Sequence, residues 1–157
     1  MIEFDARAMT DALTRLEQVC DELPQIAAQV RAEALGHAIL GARRNVYDTT
    51  PGAYQRTGEL LRGLDARARS TRNTATVEVS GAAPYHAYVE LGTGATKFTV
   101  QQAQAQALAN PSPAAPLYLG RSGVNYSLPG PIVAPAQAFA LYRMRELFAE
   151  KVRAALR

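Results

Sequence analysis

Apolar residues recur along the first third of the chain at three- and four-residue intervals: Leu13, Leu16, Val19 and Leu23, then Ile26, Val30, Ala34 and Ile39. That spacing lays a stripe along one side of a helix, so the pattern predicts helix from Phe4 to about Tyr47. Pro24 interrupts the run. A proline breaks a helix interior but is tolerated in a first turn. Two helices meeting near Asp21 to Pro24 therefore follow, the second ending before the turn cluster Thr49-Thr50-Pro51-Gly52.

The period then changes from helical to alternating. Residues Leu60 to Ser70 and Thr74 to Ser80 read as strands: Ala66 and Ala68 alternate with Arg67 and Arg69, and Ala75, Val77 and Val79 with Thr76, Glu78 and Ser80. Thr71-Arg72-Asn73 supplies the turn of an antiparallel hairpin, and Gly81 ends it. Pro84 to Leu91 reads as a short helix, with Pro84 at its first position and Gly92 as the left-handed residue beyond its end, while a strand competes for so short a piece and periodicity does not decide between them. Gly58 is likewise expected in a turn.

Residues 94–130 form a long excursion. Gln101 to Leu108 favours helix but carries almost no large apolar side chain, and Asn110-Pro-Ser-Pro-Ala-Ala-Pro116 must be extended or irregular. Tyr118, Leu119, Tyr126 and Leu128 predict a small hairpin around Gly120 to Gly123. The excursion is expected to order against a partner, so excising residues 100–128 is expected to leave a folded monomer. Helical spacing returns from Pro135 to Leu156, with Phe139, Tyr142, Phe148, Val152 and Leu156 on one stripe that Leu141, Met144, Leu147 and Ala155 widen. The expected fold class is α+β in a single domain over 1–157. It has N-terminal helices (the first over 1–23), an antiparallel β-hairpin or small sheet, a short central helix, and a C-terminal helix packed on the sheet.

Composition narrows the chemistry. The single cysteine, Cys20, cannot form an internal disulfide, and with only His37 and His86 besides, no metal-ligand set of usual spacing is present. No apolar run approaches the length of a membrane span. The formal charge is +3, with arginine dominant and Lys97 and Lys151 the only lysines. Arg43, Arg44, Arg67, Arg69 and Arg72 form the densest basic region, read either as a solvated surface or as a face able to meet DNA phosphates.

Catalytic readings find little support. Gly92-Thr-Gly-Ala-Thr-Lys97 lacks the glycine before the lysine and the Ser or Thr after it that a phosphate loop needs. His86 and Glu90 are four residues apart, yet no nucleophile stands on a suitable turn. No catalytic, cofactor-binding or metal-binding residue is assigned. Glu90 is costly to bury among Tyr88, Val89 and Leu91, so it should accept backbone hydrogen bonds or pair with an arginine, Arg56 or one from a neighbouring subunit.

Three short signals stand out in order. Pro51 precedes Thr57-Gly58-Glu59-Leu60; Tyr85, Val89, Glu90, Gly92 and Thr93 make a second; Pro131, Pro135 and Ala136 make a third, just before the last helix. The ordered set resembles the neck, or head–tail joining, proteins of long-tailed bacteriophages, also described as tail-completion or minor tail components. The resemblance covers roughly residues 25–157 apart from the excursion. Gly63 stands where the family usually has serine, Ile132 where an aromatic is common and Ala134 where arginine is common.

The resemblance implies a non-enzymatic virion protein, assembled in the bacterial cytoplasm into a six-fold homo-oligomeric ring at the phage neck. Its partners would be head connector proteins and tail tube or terminator proteins, with genomic DNA passing through the lumen unread, and no membrane or cofactor. Interface candidates are then Thr57, Gly58, Leu60, Tyr85, Val89, Glu90, Gly92, Thr93, Pro131 and Pro135; DNA-facing candidates are Arg43, Arg44, Arg67, Arg69 and Arg72. Two rivals remain in view: a tail terminator capping the tube, and a small basic DNA-binding domain. An enzyme ranks third.

Overall fold

In the computed structural model, which describes residues 6–52 and 55–157, the N-terminal helical pair divides at Glu22. Helix α1 spans Ala6–Asp21 and α2 spans Leu23–Ala42, with Pro24 in the first turn of α2 as its chemistry requires. The expected start at Phe4 lies outside the described residues. One π-helical turn, Arg43–Tyr47, carries α2 onward.

Helix α2 is the central strut, packing on α6 (Val133–Ala155) and on both strands. Its buried positions are Leu23, Ile26, Ala27, Val30, Ala34, His37, Ala38, Gly41 and Ala42. The stripe thus runs from Ala34 to Ala38 and Ala42, and Ile39 is exposed, against the expectation from sequence. Alanine at the crossing lets the helices approach closely, and size alone misplaced the stripe. Leu13 is exposed for a related reason, since α1 buries only Val19 fully.

The hairpin forms as read, with one correction. Leu60 does not start a strand: Gly58, at φ 75°, turns the chain into a short helix α3, Glu59–Arg62, and β1 begins at Leu64. Leu60 is thereby delivered to the core with no exposed surface. Strands β1 (Leu64–Ser70) and β2 (Ala75–Gly81) pair antiparallel, Ala66 opposite Val79 and Arg67 opposite Glu78. Ala66 and Val79 face inward, while Asp65, Arg67 and Arg69 face solvent.

The short helix α4 spans His86–Leu91, with Tyr85 before it and Pro84 one position earlier, in a turn. Gly92 follows at φ 75°, as expected. Helix α5, Val100–Leu108, is opened by a capping box in which Thr99 and Gln102 satisfy each other's main-chain N–H groups. Its buried face is Ala103 and Ala107, turned to α6.

No strand forms around Gly120 to Gly123, contrary to the expected hairpin. Polar side chains hold this loop. The Arg121 guanidinium donates to the carbonyl of Leu128 (2.5 Å), and Ser122 Oγ accepts from the N–H groups of Val124 and Asn125. Gly123 N–H donates to Thr50 O at 2.9 Å, and the main chains of Gly52 and Gly123 touch so closely that a Cβ on either would overlap the other. Asn45 ties the same segment to α2, its amide donating to the carbonyls of Gly41, Leu117 and Pro131.

Residues 94–130 therefore lie against the chain's own helices. Excising 100–128 is expected to strip α2 and α6 of these contacts and destabilise the chain by more than about 3 kcal/mol. Thermal unfolding followed by circular dichroism measures this; an unchanged midpoint would show the segment to be dispensable for folding.

Helix α6 docks through small residues, Pro135, Ala136 and Ala140, with Phe139, Met144, Leu147 and Phe148 half-buried beside them. Leu141, Tyr142 and Leu156, placed on or beside the stripe from sequence, are exposed. Gln137 donates to the carbonyl of Val79, fixing α6 on the sheet. Arg143 bonds Glu33 of α2 at 2.7 Å and also pairs with Glu146, and Lys151 meets Glu22 at 2.6 Å. The Arg143 bond holds the Glu33 carboxyl below its ordinary range.

His37 sits deep in α2, its ring stacked on Phe139 at 4.8 Å and Nε2 3.0 Å from the carbonyl of Pro113. Burial pushes its pKa below the ordinary 6.5, with the Pro113 and Ala115 carbonyls pulling the other way. The folded state thus binds fewer protons than the unfolded chain below that value. Stability should be flat above pH 7 and fall as the pH drops through the mid-6 range. His37→Gln keeps a donor toward Pro113, so it should lower stability overall but flatten the slope between pH 7 and 5. Chemical denaturation at stepped pH tests this; an unchanged slope would remove His37 as the cause.

Candidate functional site

The three sequence signals, far apart in the chain, meet at one junction. Tyr85 Oη accepts from the N–H of Leu60 at 3.2 Å, joining the second signal to the first. Gly130 N–H donates to Val89 O at 2.8 Å, bringing the third signal alongside. Glu90 completes the joint: its carboxylate accepts from the N–H groups of Ile132 (2.7 Å), Val133 (3.0 Å) and Ala134 (2.8 Å).

These are N–H groups of the first turn of α6, which have no partner within the helix. A carboxylate there satisfies them and sits favourably on the positive end of the helix dipole. Glu90 is 8% exposed, so the bonds lie largely out of water. The partner anticipated for Glu90 is thus the main chain of α6. Arg56, the named alternative, is committed elsewhere, donating to the carbonyls of Tyr47, Thr49 and Thr50 and closing the turn after α2.

The remaining signature residues serve the same joint. Gly92 N–H bonds Tyr88 O, and Thr93 N–H bonds Ser127 O at 2.8 Å. Leu60, Val89, Glu90, Gly92, Pro131 and Pro135 are buried, Gly58, Tyr85 and Thr93 half-buried, and Thr57 exposed. The signature set is one internal lock between α3, α4 and α6. Asn45, which anchors Pro131 from the π-helical turn after α2, escaped the reading of the sequence, because a lone asparagine in a helix carries no pattern.

The basic residues do not form one patch. Arg43 and Arg44 lie just past the end of α2, Arg43 against Asp48 (3.4 Å) and Arg44 over the Tyr118 ring (5.6 Å). Arg67 and Arg69 lie on β1 beside Arg31, near the middle of α2, and Arg67 bonds Asp65. From Arg31 to Arg43 along the helix is about 18 Å. Arg72, in the hairpin turn, bridges to Asp21 (3.2 Å) and Glu17 of α1.

His86 is a further ionisable group at the joint. It packs on Gly81, where a Cβ would strike the ring, and its Nε2 lies 3.9 Å from Glu90 Oε2. Burial holds its pKa below the ordinary value, against the pull of the Glu90 charge. A small hollow of about 200 Å³ adjoins the pair, lined by Leu91, Val100, Ala103 and Val133. Both Glu90 oxygens are occupied in capping, and among the described residues no Ser, Thr, Cys or Lys lines the hollow. The glycine-rich run after α4 forms a single 3-10 turn, Gly94–Thr96, with Lys97 exposed beyond it. Among the described residues no group of three or more His, Cys, Asp or Glu is placed to hold a metal ion, and no helix is long and apolar enough to cross a membrane.

No family model, curated protein or solved structure matches this chain.

Proposed function

We propose that this chain is a structural subunit of the neck of a long-tailed bacteriophage, forming a ring that joins the DNA-filled head to the tail tube. The observation that carries the reading is the joint at Glu90. Three short matches spread from Thr57 to Ala136 would mean little as separate coincidences. They meet in one bonded unit, so the resemblance rests on a single structural device in which each signal has a physical partner. The roles are non-enzymatic: Gly58 and Gly92 set turns, Leu60 and Val89 fill the core, and Glu90 fixes the last helix.

Exposed apolar side chains fit a subunit that has neighbours. Val100 and Leu108 of α5 and Leu141 of α6 are exposed close together around the seam of those helices, where water is otherwise in contact with carbon. Arg67 and Arg69 are exposed on β1, and in this reading they would meet phosphates without reading bases.

The test is electron microscopy of lysates from phage lacking this gene beside wild type. Filled heads separate from complete tails are expected. Tails of uncontrolled length would replace the neck reading with a tail terminator, and normal particles would overturn both. Steeply salt-dependent DNA binding by the free chain would favour the DNA-binding domain.

A further inference from the structure

The hairpin leaves one edge open. Thr71 N–H bonds Thr74 O, and Ala82 N–H bonds Gly63 O, both at 2.8 Å, one at each end of the ladder. Alternation between them gives the ladder bonds to Asp65, Arg67 and Arg69, and turns the main-chain groups of Ala66, Ala68 and Ser70 away from β2. Ala66 N–H is taken by Asp65 Oδ1 at 2.9 Å. Among the described residues nothing bonds Ala66 O or the N–H and C=O of Ala68. The opposite edge of the sheet is closed at the matching position, where Gln137 donates to Val79 O. A groove of about 680 Å³ runs along the open edge, between Asp65 to Ser70 and Pro24, Ala27, Ala28 and Arg31 of α2. Free main-chain groups beside a groove walled by small side chains are what an added strand needs.

The strand already paired with β1 indicates which side chains a second one should carry. Thr76-Val77-Glu78-Val79-Ser80 turns Val79 to the core and sets Glu78 opposite Arg67 on the solvent face. A guest at the open edge meets the same two faces of β1, alanines inward and arginines outward. Arg67 has Asp65 bonded to it and Glu78 across the ladder. Arg69 stands opposite Thr76, and among the described residues neither Arg69 nor Arg31 has an acidic partner. The complement is an extended segment with apolar side chains over Ala27 and Ala28 and an acid beside Arg69. Neither strand of the hairpin supplies it from a second copy. Antiparallel self-pairing of β1 would bring Arg67 against Arg69, and the outer edge of β2 is covered by Gln137.

We propose that the outer edge of β1 receives an extended segment of another protein as an added strand, alternating apolar side chains over α2 with acidic ones toward Arg69. Main-chain bonds to Ala66 and Ala68 supply the grip, and the two arginines select against neutral and basic segments. The site rests on the open edge and its charges and does not require the neck reading.

Amide hydrogen exchange in the full chain tests it, with acetyl-Thr-Val-Glu-Val-Glu-Val-Ser-amide as the probe peptide. Saturating peptide is expected to slow exchange at Ala68 and Ser70 by at least ~10-fold, and Arg69→Glu should weaken its binding by a similar factor. Arg69 is exposed, so that variant keeps the fold. No binding at peptide concentrations up to about 1 mM overturns the proposal. So does binding that leaves both amides unprotected, or equal binding by the same peptide with lysine in place of glutamate. Protection of the two amides by duplex DNA and not by the peptide would make the groove a nucleic-acid path instead. Normal particles from the gene deletion, together with protection by the peptide, would remove the neck reading and leave the strand site standing.

Discussion

Replacing Glu90 with alanine is expected to lower stability by roughly 3–4 kcal/mol, the largest loss among single polar substitutions in this chain. The side chain accepts three main-chain hydrogen bonds at the start of a 23-residue helix. Alanine would leave those N–H groups without their acceptor, with the Ile132 group in a fully buried position. For a domain of this length the unfolding midpoint should drop by about 8–15 °C. Glu90→Gln is the informative companion. It keeps the shape and one acceptor, but turns an NH2 group toward a donor, so its loss should fall between wild type and alanine. If both variants unfold at the wild-type midpoint, the cap is not a stabilising feature. Equal losses in the two would mean that charge, not the number of acceptors, carries the effect.

Gly92→Ala is expected to cost about 3 kcal/mol or more. Gly92 has φ 75° and ψ −174°, a combination that only glycine adopts without strain. A Cβ there would lie 2.7 Å from Ser127 O and 2.8 Å from Pro129 N, both main-chain atoms that cannot swing aside. The same two strands of chain carry the Thr93–Ser127 bond, so relaxing the clash loosens the excursion as well. Gly94 is the internal control: its φ is 69°, but nothing lies within 4 Å of a Cβ there. Gly94→Ala should therefore cost only about 1 kcal/mol, the backbone strain alone. Thermal and denaturant unfolding of the pair separates strain from collision, and equal losses would remove the collision from the account.

Much of the architecture was legible in the periods of the sequence. Three- and four-residue spacing placed α1, α2 and α6, alternation placed β1 and β2, and Gly92 marked the end of α4. These signals are local, and each is written into consecutive side chains. What sequence missed depends on contacts between distant segments. Ile39 and Tyr142 looked like core because they are large, yet the crossing of α2 and α6 selects alanine for closeness. Tyr118 to Leu128 looked like a hairpin because aromatic and aliphatic residues flank glycines. The loop is instead set by Arg121, Ser122 and a glycine-to-glycine contact, none of which has a periodic signature. At the candidate site, Glu90 was recognisable as a carboxylate needing backbone donors or an arginine; which backbone was not, because the donors lie 42 to 44 residues further along the chain.

The bonds between α2 and α6 have a consequence for how the chain is made. Helix α2 is complete within the first 42 residues, but the helix that covers it starts at Val133. A growing chain must carry its half-built core, and a carboxylate at Glu90 without donors, through most of its synthesis. Burying that charge alone is unfavourable, so the hairpin and α4 gain little by settling early. The expected order is late and concerted: helices flicker, and the long-range core closes once the final segment is available. A truncated chain lacking α6 would then stay open and vulnerable to proteases.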